Sequence, residues 1–160
     1  MLTDGQLELL ENGDEQKTFH ARDGQGISLF HRAGWKTGII SGRTSSAVER
    51  RAQDLKMGYV RQYAKDKIKA LEEILAAAGC SAEETAYIGD DVGDLPVMRR
   101  VGFAVAVADA VEETKQAAHY VTQLKGGRGA VREVTDLILK AQGRWEELMK
   151  RFSWSVVFHS

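Results

Sequence analysis

A short apolar run followed by clustered acids, near the middle of the chain, constrains the fold more than any other feature. Residues 85–88 have the character of a buried strand, and Gly89 lets the backbone turn because it has no Cβ atom. Pro96 then opens a helix. Between these points lie three carboxylates: Asp90, Asp91 and Asp94. Such acids repel one another unless a positive charge lies among them. Mg²⁺ is the usual cation beside a phosphate, and a solvated acidic loop that caps a helix is the alternative.

The composition is that of an ordinary globular domain and argues against several classes of protein. Hydrophobic residues make up 43% and charged residues 28% of the 160 residues, which predicts a single domain with a core. The formal net charge of -1 gives no indication of nucleic acid or of an anionic membrane as partner. Cys80 has no second cysteine to pair with, as is usual in a reducing cytosol. No apolar run has transmembrane length, and the N-terminus has no signal-peptide pattern. We therefore expect a cytoplasmic protein.

Strand-like and helix-like segments alternate along most of the chain, which predicts an α/β fold. A hairpin is expected at about 6–19, around Asn12-Gly13. The predicted strands are 35–40, 59–63, 85–88, 103–107 and 119–122. The predicted helices are 27–33, one through Val48 to Leu55, 66–78, a single turn at 81–84, 95–101, 111–118, 131–141 and 145–152. This order predicts a doubly wound parallel sheet with helices on both faces. We expect one domain over residues 1–152 and a tail at 153–160.

Polar residues follow three of the predicted strands. Ser41 follows the first, Lys65 and Lys67 follow the second, and Asp90 follows the third. Ligands of such folds lie beyond the carboxyl ends of the strands, so these groups should converge on one crevice. A hydroxyl, an ammonium group and carboxylates gathered there are typical of a phosphate and metal site.

Several motifs together resemble one family. Ser41-Gly42-Arg43, Lys65-Asp66-Lys67 and Gly89 to Asp94 have the order and spacing found in the haloacid dehalogenase-like phosphatases. Further motifs narrow the resemblance: residues 19–24, 87–91, 94–98, 105–110 and 126–133. From Leu2 to about Phe152 the chain is similar to the capless subfamily containing 3-deoxy-D-manno-octulosonate 8-phosphate phosphatase. The resemblance implies a Rossmann-like haloacid dehalogenase-like domain without a cap and with an N-terminal β-hairpin.

The resemblance also implies roles for the residues of the crevice. Ser41 would hydrogen-bond the transferring phosphoryl group, and Lys67 would neutralise its charge, with Lys65 as the alternative. Asp90 would bind Mg²⁺ directly. Two further acids would support the metal from nearby: Asp91 and Asp94. Phosphoryl transfer depends mainly on positioning and charge neutralisation, so these residue types suit it.

A second set of residues matches the family's substrate-contacting positions. These are His20, Ala21, Arg22, Asp23, Gly24, Arg43 and Arg51. Arginine suits the carboxylate or phosphate of a sugar acid because it can bind either in a bidentate manner.

Ordinary structural explanations exist for several of these residues. Ser41 could cap the helix that follows it. Lys65 and Lys67 could be the solvated start of a helix. Arg51 could be an exposed helix residue, and Arg128 could be only a loop charge.

The beginning of the chain departs from the family pattern. The family's first motif reads Asp-x-Asp-Gly-Val-Leu-Thr-Asp-Gly, and here only Leu2-Thr3-Asp4-Gly5 matches it, with Met1 in place of Val. The nucleophile, the acid–base aspartate and their central strand would lie upstream of residue 1. We therefore expect the first central strand to be missing and two inner strands to lack a partner. Our hypothesis is a wrong start site, such as a GTG codon read as an initiator, or a truncated sequence; a natural remnant is the alternative.

Two functional hypotheses of different classes follow. The first is a Mg²⁺-dependent phosphatase of a sugar-acid phosphate in lipopolysaccharide sugar synthesis, assembled as a homotetramer with the hairpin at the subunit contacts. The second is a catalytically inactive subunit that binds the sugar phosphate or serves as a scaffold. A related enzyme alternative would act on a nonulosonate 9-phosphate of the sialic-acid type.

Overall fold

The computed structural model describes residues 1–152, which alternate between short strands and helices. The strands are β1 (Glu8–Leu9), β2 (Glu15–Gln16), β3 (Gly38–Ile40), β4 (Tyr59–Arg61), β5 (Ala86–Gly89), β6 (Phe103–Ala106) and β7 (Tyr120–Val121). The helices are α1 (Ala21–Arg32), α2 (Ser46–Asp54), α3 (Lys67–Ala78), α4 (Leu95–Met98), α5 (Glu112–Ala117), α6 (Ala130–Ala141) and α7 (Trp145–Lys150). A 3₁₀ turn, Val92–Asp94, precedes α4. The proposed tail at 153–160 lies outside the described residues.

The parallel strands form two half-sheets. β3 pairs with β4, and β5, β6 and β7 pair in that order, all in parallel. Within residues 1–152 no strand is hydrogen-bonded between β3 and β5. A largely apolar cleft of about 840 Å³ lies there, with Ile39 and Ile40 on one side and Tyr87 and Ile88 on the other. The described residues therefore confirm that β3 and β5 each lack a partner on the side that faces the other half-sheet. The location of the family's first motif stays a prediction.

Helices cover both faces of these half-sheets. On one face Ile27 of α1 and Val131 of α6 pack with Ile39 of β3 and Val60 of β4. On the other face, α3 and α4 pack over a cluster that contains Leu71, Val97, Met98, Ala104 and Ala106, together with the partly buried Ile40. Ile39 and Ile40 point to opposite faces because side chains alternate along a strand. The doubly wound architecture is confirmed.

The N-terminal hairpin extends from this body. β1 and β2 are antiparallel, with Glu8 opposite Gln16 and Leu9 opposite Glu15. Gly13 in the turn has a φ of +84°, a conformation that favours glycine. Three leucines of the hairpin are exposed: Leu7, Leu9 and Leu10. The hairpin is therefore built as the sequence predicts, and it carries an apolar outer surface.

Some local predictions were wrong. The helical turn at 81–84 is a plain turn, in which the Ser81 N–H donates to Glu84 Oε2 at 2.9 Å. The capping-box pattern of Ser81 and Glu84 forms only this turn, because β5 begins two residues later. α1 begins six residues earlier than predicted because His20 caps it, its Nδ1 accepting from the Arg22 N–H at 3.2 Å. Most predicted strands are longer than the observed ones, as at 35–37, which lies outside the pairing of β3 with β4.

None of the helices in the described part of the chain is both long enough and apolar enough to cross a bilayer.

The close approach at Gly89 gives a test of the packing that places the acidic turn. A Cβ atom at Gly89 would lie 2.8 Å from Asp94 Cβ and 2.8 Å from Met98 Sδ. We expect Gly89→Ala to lower the free energy of unfolding by about 1–3 kcal/mol because the site is already filled. Urea unfolding followed by circular dichroism measures this value. Gly93→Ala is the control, since nothing lies within 4 Å of its would-be Cβ, and an equal loss in both variants would contradict the packing argument.

Candidate active site

The carboxyl ends of the inner strands place the polar residues at one edge of the molecule. Ser41 follows β3 directly, and Asp90 follows β5. Lys67 is the first residue of α3 and lies six residues after the end of β4. Because parallel strands end at a common edge, these groups are expected on the same side. The contacts of Asp94 with Lys67 and with the Asp90 N–H bring two of them together.

Asp94 is the centre of a hydrogen-bond network at this edge. Its side chain is completely buried. Oδ1 accepts from Lys67 Nζ at 2.7 Å and from the Tyr87 hydroxyl at 2.6 Å. Oδ2 accepts from the backbone N–H of Asp90 at 2.9 Å and of Asp91 at 3.2 Å. A buried carboxylate needs such donors, so the network fixes α3 and the acidic turn to each other.

The electrostatics of Asp94 follow from these contacts. Burial alone would raise the pKa of Asp94, but the hydrogen bonds from Lys67 and Tyr87 outweigh it and lower the pKa to about 2. The Tyr87 pKa is raised, chiefly by burial and then by the negative charge of Asp94. Asp94 is therefore ionised and Tyr87 is a neutral donor at any pH near neutrality.

Asp90 is a partly buried acid beside this network. Burial raises the pKa of Asp90 and the neighbouring Asp94 adds to the rise, while the Met1 ammonium and Lys67 act in the opposite direction. A nearby cation would stabilise the ionised form of a carboxylate in this setting.

The carboxylates of the acidic turn can be compared with the ligands that a magnesium ion needs. Within residues 1–152 no three His, Cys, Asp or Glu side chains are arranged to hold a metal. Asp94 is engaged by Lys67 and Tyr87, and Asp91 is exposed and accepts from the Val92 N–H at 2.7 Å. Mg²⁺ commonly binds through one or two carboxylates and keeps several waters beside a phosphate. Asp90 fits that mode, whereas these residues do not form a closed protein cage.

Ser41 is held by the backbone of β4 and of the loop that follows it. Its N–H donates to Arg61 O at 2.9 Å, and its carbonyl oxygen accepts from the Ala64 N–H at 2.9 Å. The alternative that Ser41 caps the following helix is wrong. Ser45 caps α2 instead, its Oγ accepting from the Val48 N–H at 3.4 Å.

The two lysines of the predicted crevice have different surroundings. Lys67 pairs with the buried Asp94, so the alternative of a solvated helix start is wrong for it. Lys65 is exposed, and its ammonium lies 5.0 Å from the centre of the Tyr63 ring. The structure brings Lys67, rather than Lys65, to the acidic cluster.

Residues 20–24 form the beginning of α1 and lie beside Arg51. His20 is the N-cap, and Ala21 and Arg22 are exposed. Gly24 and Arg51 are so close that a Cβ at Gly24 would collide with the guanidinium. Arg51 lies over the Phe19 ring at 5.7 Å, and its buried Nε has no partner among the described residues. The alternative of an ordinary exposed residue is therefore wrong for Arg51.

Asp23 is a second buried acid in this region. Its Oδ1 accepts from the Arg132 N–H at the start of α6 at 3.0 Å, and Oδ2 has no partner among the described residues. Burial raises the pKa of Asp23, although the backbone hydrogen bonds act against the rise.

Arg43 points to the hairpin. Its Nε donates to Glu15 Oε1 at 2.7 Å. Arg128 lies 3.8 Å from Asp4 and is mostly exposed. Both pairs link residues from distant parts of the chain.

The sequence of the chain matches proteins of known activity. A family of haloacid dehalogenase-like hydrolases matches residues 60–133. The 3-deoxy-D-manno-octulosonate 8-phosphate phosphatase of Yersinia pestis is 47% identical over 146 residues, which are 91% of this chain and 78% of the relative. The chain belongs to this phosphatase family.

Solved structures of the family have the same fold. The phosphatase of Moraxella catarrhalis, in complex with a magnesium ion, a phosphate ion and a KDO molecule, has a TM-score of 0.91 and 39% identity. This match covers 95% of this chain and 87% of that one. The cobalt-bound enzyme of Haemophilus influenzae has a TM-score of 0.87 and 43% identity over 89% of this chain and 84% of its own. The recognition of the family from its motifs is confirmed.

Two residues of the site were missed by the sequence reasoning. Tyr87 donates to Asp94 from inside β5, and Glu15 binds Arg43 from the hairpin. The alternation of β5 shows that Tyr87 faces the side opposite Ile88, but no pattern indicates its partner. Glu15 follows the turn of a hairpin, where an acid is normally solvated, so nothing in the sequence marks it.

Removal of the Lys67 charge tests the network. We expect Lys67→Met to lower the free energy of unfolding by about 2–3 kcal/mol, because the buried carboxylate of Asp94 loses a charged donor. Lys65→Met is the matched control and should change stability little, since Lys65 is exposed. Urea unfolding at neutral pH measures both, and equal effects would speak against the network.

The low pKa of Asp94 predicts a loss of stability in acid. The pKa is about 2 in the folded protein, whereas an unperturbed aspartate has a pKa of 3.8. The stabilisation is therefore complete above about pH 4 and disappears as the pH falls towards 2, and it contributes about 2 kcal/mol. In metal-free buffer from pH 6 to pH 2, the free energy of unfolding should decline more steeply for the natural protein than for Asp94→Asn. Parallel curves would refute the assignment.

Proposed function

We propose that this protein is a Mg²⁺-dependent phosphatase that hydrolyses a sugar-acid phosphate, 3-deoxy-D-manno-octulosonate 8-phosphate, in lipopolysaccharide sugar biosynthesis. The observation that carries the proposal is the ion pair of Lys67 with Asp94 beside Asp90, at the carboxyl edge of the strands. Relatives that share this family have that activity, and one of their structures contains magnesium, phosphate and the sugar acid.

Charge neutralisation is the main contribution of the described residues. The Lys67 side chain is partly exposed while its ammonium pairs with Asp94. It can therefore approach a phosphoryl oxygen while Asp94 holds its position. The Ser41 hydroxyl would donate a hydrogen bond to the same group. Asp90 would hold Mg²⁺, which when bound withdraws charge from the phosphate oxygens. These contributions stabilise the negative charge that phosphoryl transfer redistributes.

Asp94 and Asp91 would act on the metal indirectly. Asp94 binds the backbone N–H of Asp90 and so fixes the strand end from which the metal-binding carboxylate projects. Asp91 holds the 3₁₀ turn through the Val92 N–H. Such outer contacts orient the residues that touch a metal.

A basic wall would bind the acid end of the sugar. Arg43 and Arg51 follow the same strand, and residues 20–24 lie against Arg51 through Gly24. Arg22 adds an exposed positive charge at the start of α1. We assign His20, Ala21, Arg22, Asp23, Gly24, Arg43 and Arg51 to substrate binding. The guanidinium groups suit a carboxylate, but they do not distinguish an eight-carbon from a nine-carbon sugar acid.

The proposed assembly and location draw on two further features. The exposed leucines of the hairpin support a homotetramer with the hairpin at the subunit contacts. A neighbour would also shelter a capless crevice from water. The single cysteine supports a cytoplasmic protein.

A second candidate is a subunit that binds the sugar phosphate without cleaving it. It is favoured by one observation: in residues 1–152 no aspartate pair lies on a strand between β3 and β5, where the family's nucleophile is expected. A site composed of Ser41, Lys67 and Asp90 could hold phosphate, but it lacks an attacking group. Loss of a covalent nucleophile can reduce the rate by about a million-fold.

Phosphate release separates the candidates. We expect the 160-residue polypeptide to be at least about 10⁴-fold slower than one extended upstream in frame, because only the latter could carry the nucleophile. The extended polypeptide should require Mg²⁺ and lose activity on Asp90→Asn. The assay follows inorganic phosphate from 3-deoxy-D-manno-octulosonate 8-phosphate and from a nonulosonate 9-phosphate.

Three outcomes have distinct meanings. Release by the extended protein supports the phosphatase, and the faster of the two substrates identifies the sugar acid. Sequencing that finds no upstream Asp-x-Asp, together with Mg²⁺-dependent binding and no release, supports the binding subunit. Neither binding nor release by either polypeptide contradicts both candidates.

A further inference from the structure

Glu15 is an unusual residue for a two-residue strand at the surface. Its side chain is only 6% exposed, although its neighbours on the hairpin, Asp14 and Gln16, are more accessible. A carboxylate is rarely buried unless it has paired charges. The partners of Glu15 therefore explain how a carboxylate can be buried here.

Two cations share the Glu15 carboxylate. Oε1 accepts from Arg43 through both Nε, at 2.7 Å, and Nη2. Oε2 lies 2.9 Å from Lys17 Nζ. The hydrogen bonds from Arg43 and then from Lys17 lower the pKa of Glu15, so it is ionised at neutral pH. The group of one acid and two bases keeps a net positive charge, since Lys17 balances Glu15.

The geometry leaves part of the Arg43 guanidinium available. Nε and Nη2 face Glu15, and Nη1 has no hydrogen-bond partner among the described residues. The Arg43 side chain is 54% exposed. Without a partner, such a long side chain would sample many rotamers, which an incoming anion would have to restrict.

The hairpin is held in place at a second point. The Ser46 hydroxyl at the start of α2 donates to Asp14 Oδ2, and the Ser46 N–H donates to Asp14 Oδ1 at 3.5 Å. Asp14 and Glu15 therefore contact the loop from Ser41 to Ser46 at two points, Ser46 and Arg43. This second contact makes β2 a fixed support for Arg43.

We propose that Glu15 is a positioning residue that orients Arg43 toward the carboxylate of the sugar acid. This inference rests on the proposed function, because it assigns Arg43 to that substrate. The hairpin is then part of the specificity apparatus as well as an outer surface. Glu15 acts on recognition of the sugar acid and not on the phosphate end, where Lys67 and Asp94 lie.

Binding measurements test the proposal without requiring turnover. Isothermal titration with Mg²⁺ present would use two probes, 3-deoxy-D-manno-octulosonate and inorganic phosphate. We expect Glu15→Gln to weaken binding of the sugar acid by roughly tenfold, since the guanidinium loses its preorganised position. Phosphate binding should stay within about twofold because preorganisation of Lys67 is untouched.

Matched variants isolate the effect. Glu8→Gln makes the same substitution on the exposed face of β1 and should leave both affinities unchanged. In an Arg43→Gln background, Glu15→Gln should cause no further loss, because it acts through Arg43. Glu15→Asp, which keeps the charge but shortens the side chain, replaces Glu15→Gln if the latter does not fold, and it should show the same selective loss.

The outcomes distinguish this inference from the proposed function. If the 160-residue polypeptide without substitutions binds neither probe, the proposed function fails. If it binds both and Glu15→Gln binds the sugar acid as tightly, the positioning role is overturned. An equal loss for both probes with a lowered melting temperature also overturns it, since that result indicates a purely structural residue.

Discussion

The ion pair between Lys67 and Asp94 is the interaction on which the site depends. Asp94 is completely buried, and it receives a lysine from α3, a tyrosine from β5 and two backbone N–H groups from the acidic turn. A buried carboxylate with these donors is stable only while all of them stay in place. The same contacts that stabilise the fold therefore set the position of a cation and of the strand end that carries Asp90. Stability and charge placement are properties of one network.

The two half-sheets explain why the edge is assembled from separate segments. Ser41 follows β3, Asp90 follows β5, and an apolar cleft lies between the two strands. Helices on both faces keep the half-sheets in the arrangement of the family even where the described strands are not hydrogen-bonded. Helix packing thus contributes to the geometry of the site in addition to strand pairing.

The hairpin joins an exposed apolar surface to Arg43. Its leucines are exposed, while Glu15 from the same hairpin is buried against Arg43. Burial of a charged group is costly unless it is paired, and here the pairing also restricts an arginine. An arrangement of this kind makes the orientation of Arg43 depend on whether the hairpin is folded. Lys67 has a separate support, the buried carboxylate of Asp94.

The sequence alone determined the alternation of strands and helices, the family and the identity of most polar residues at the edge. Hydrophobic periodicity and short motifs are local patterns, so they can be recognised without knowing which residues meet in the folded chain. The tertiary structure decided which lysine meets the acids, that Ser45 rather than Ser41 caps α2, and that Arg51 is packed. It alone revealed Tyr87 and Glu15 as partners of Asp94 and Arg43. These contacts join residues from separate elements, and such pairings depend on how the elements pack, which no local pattern records.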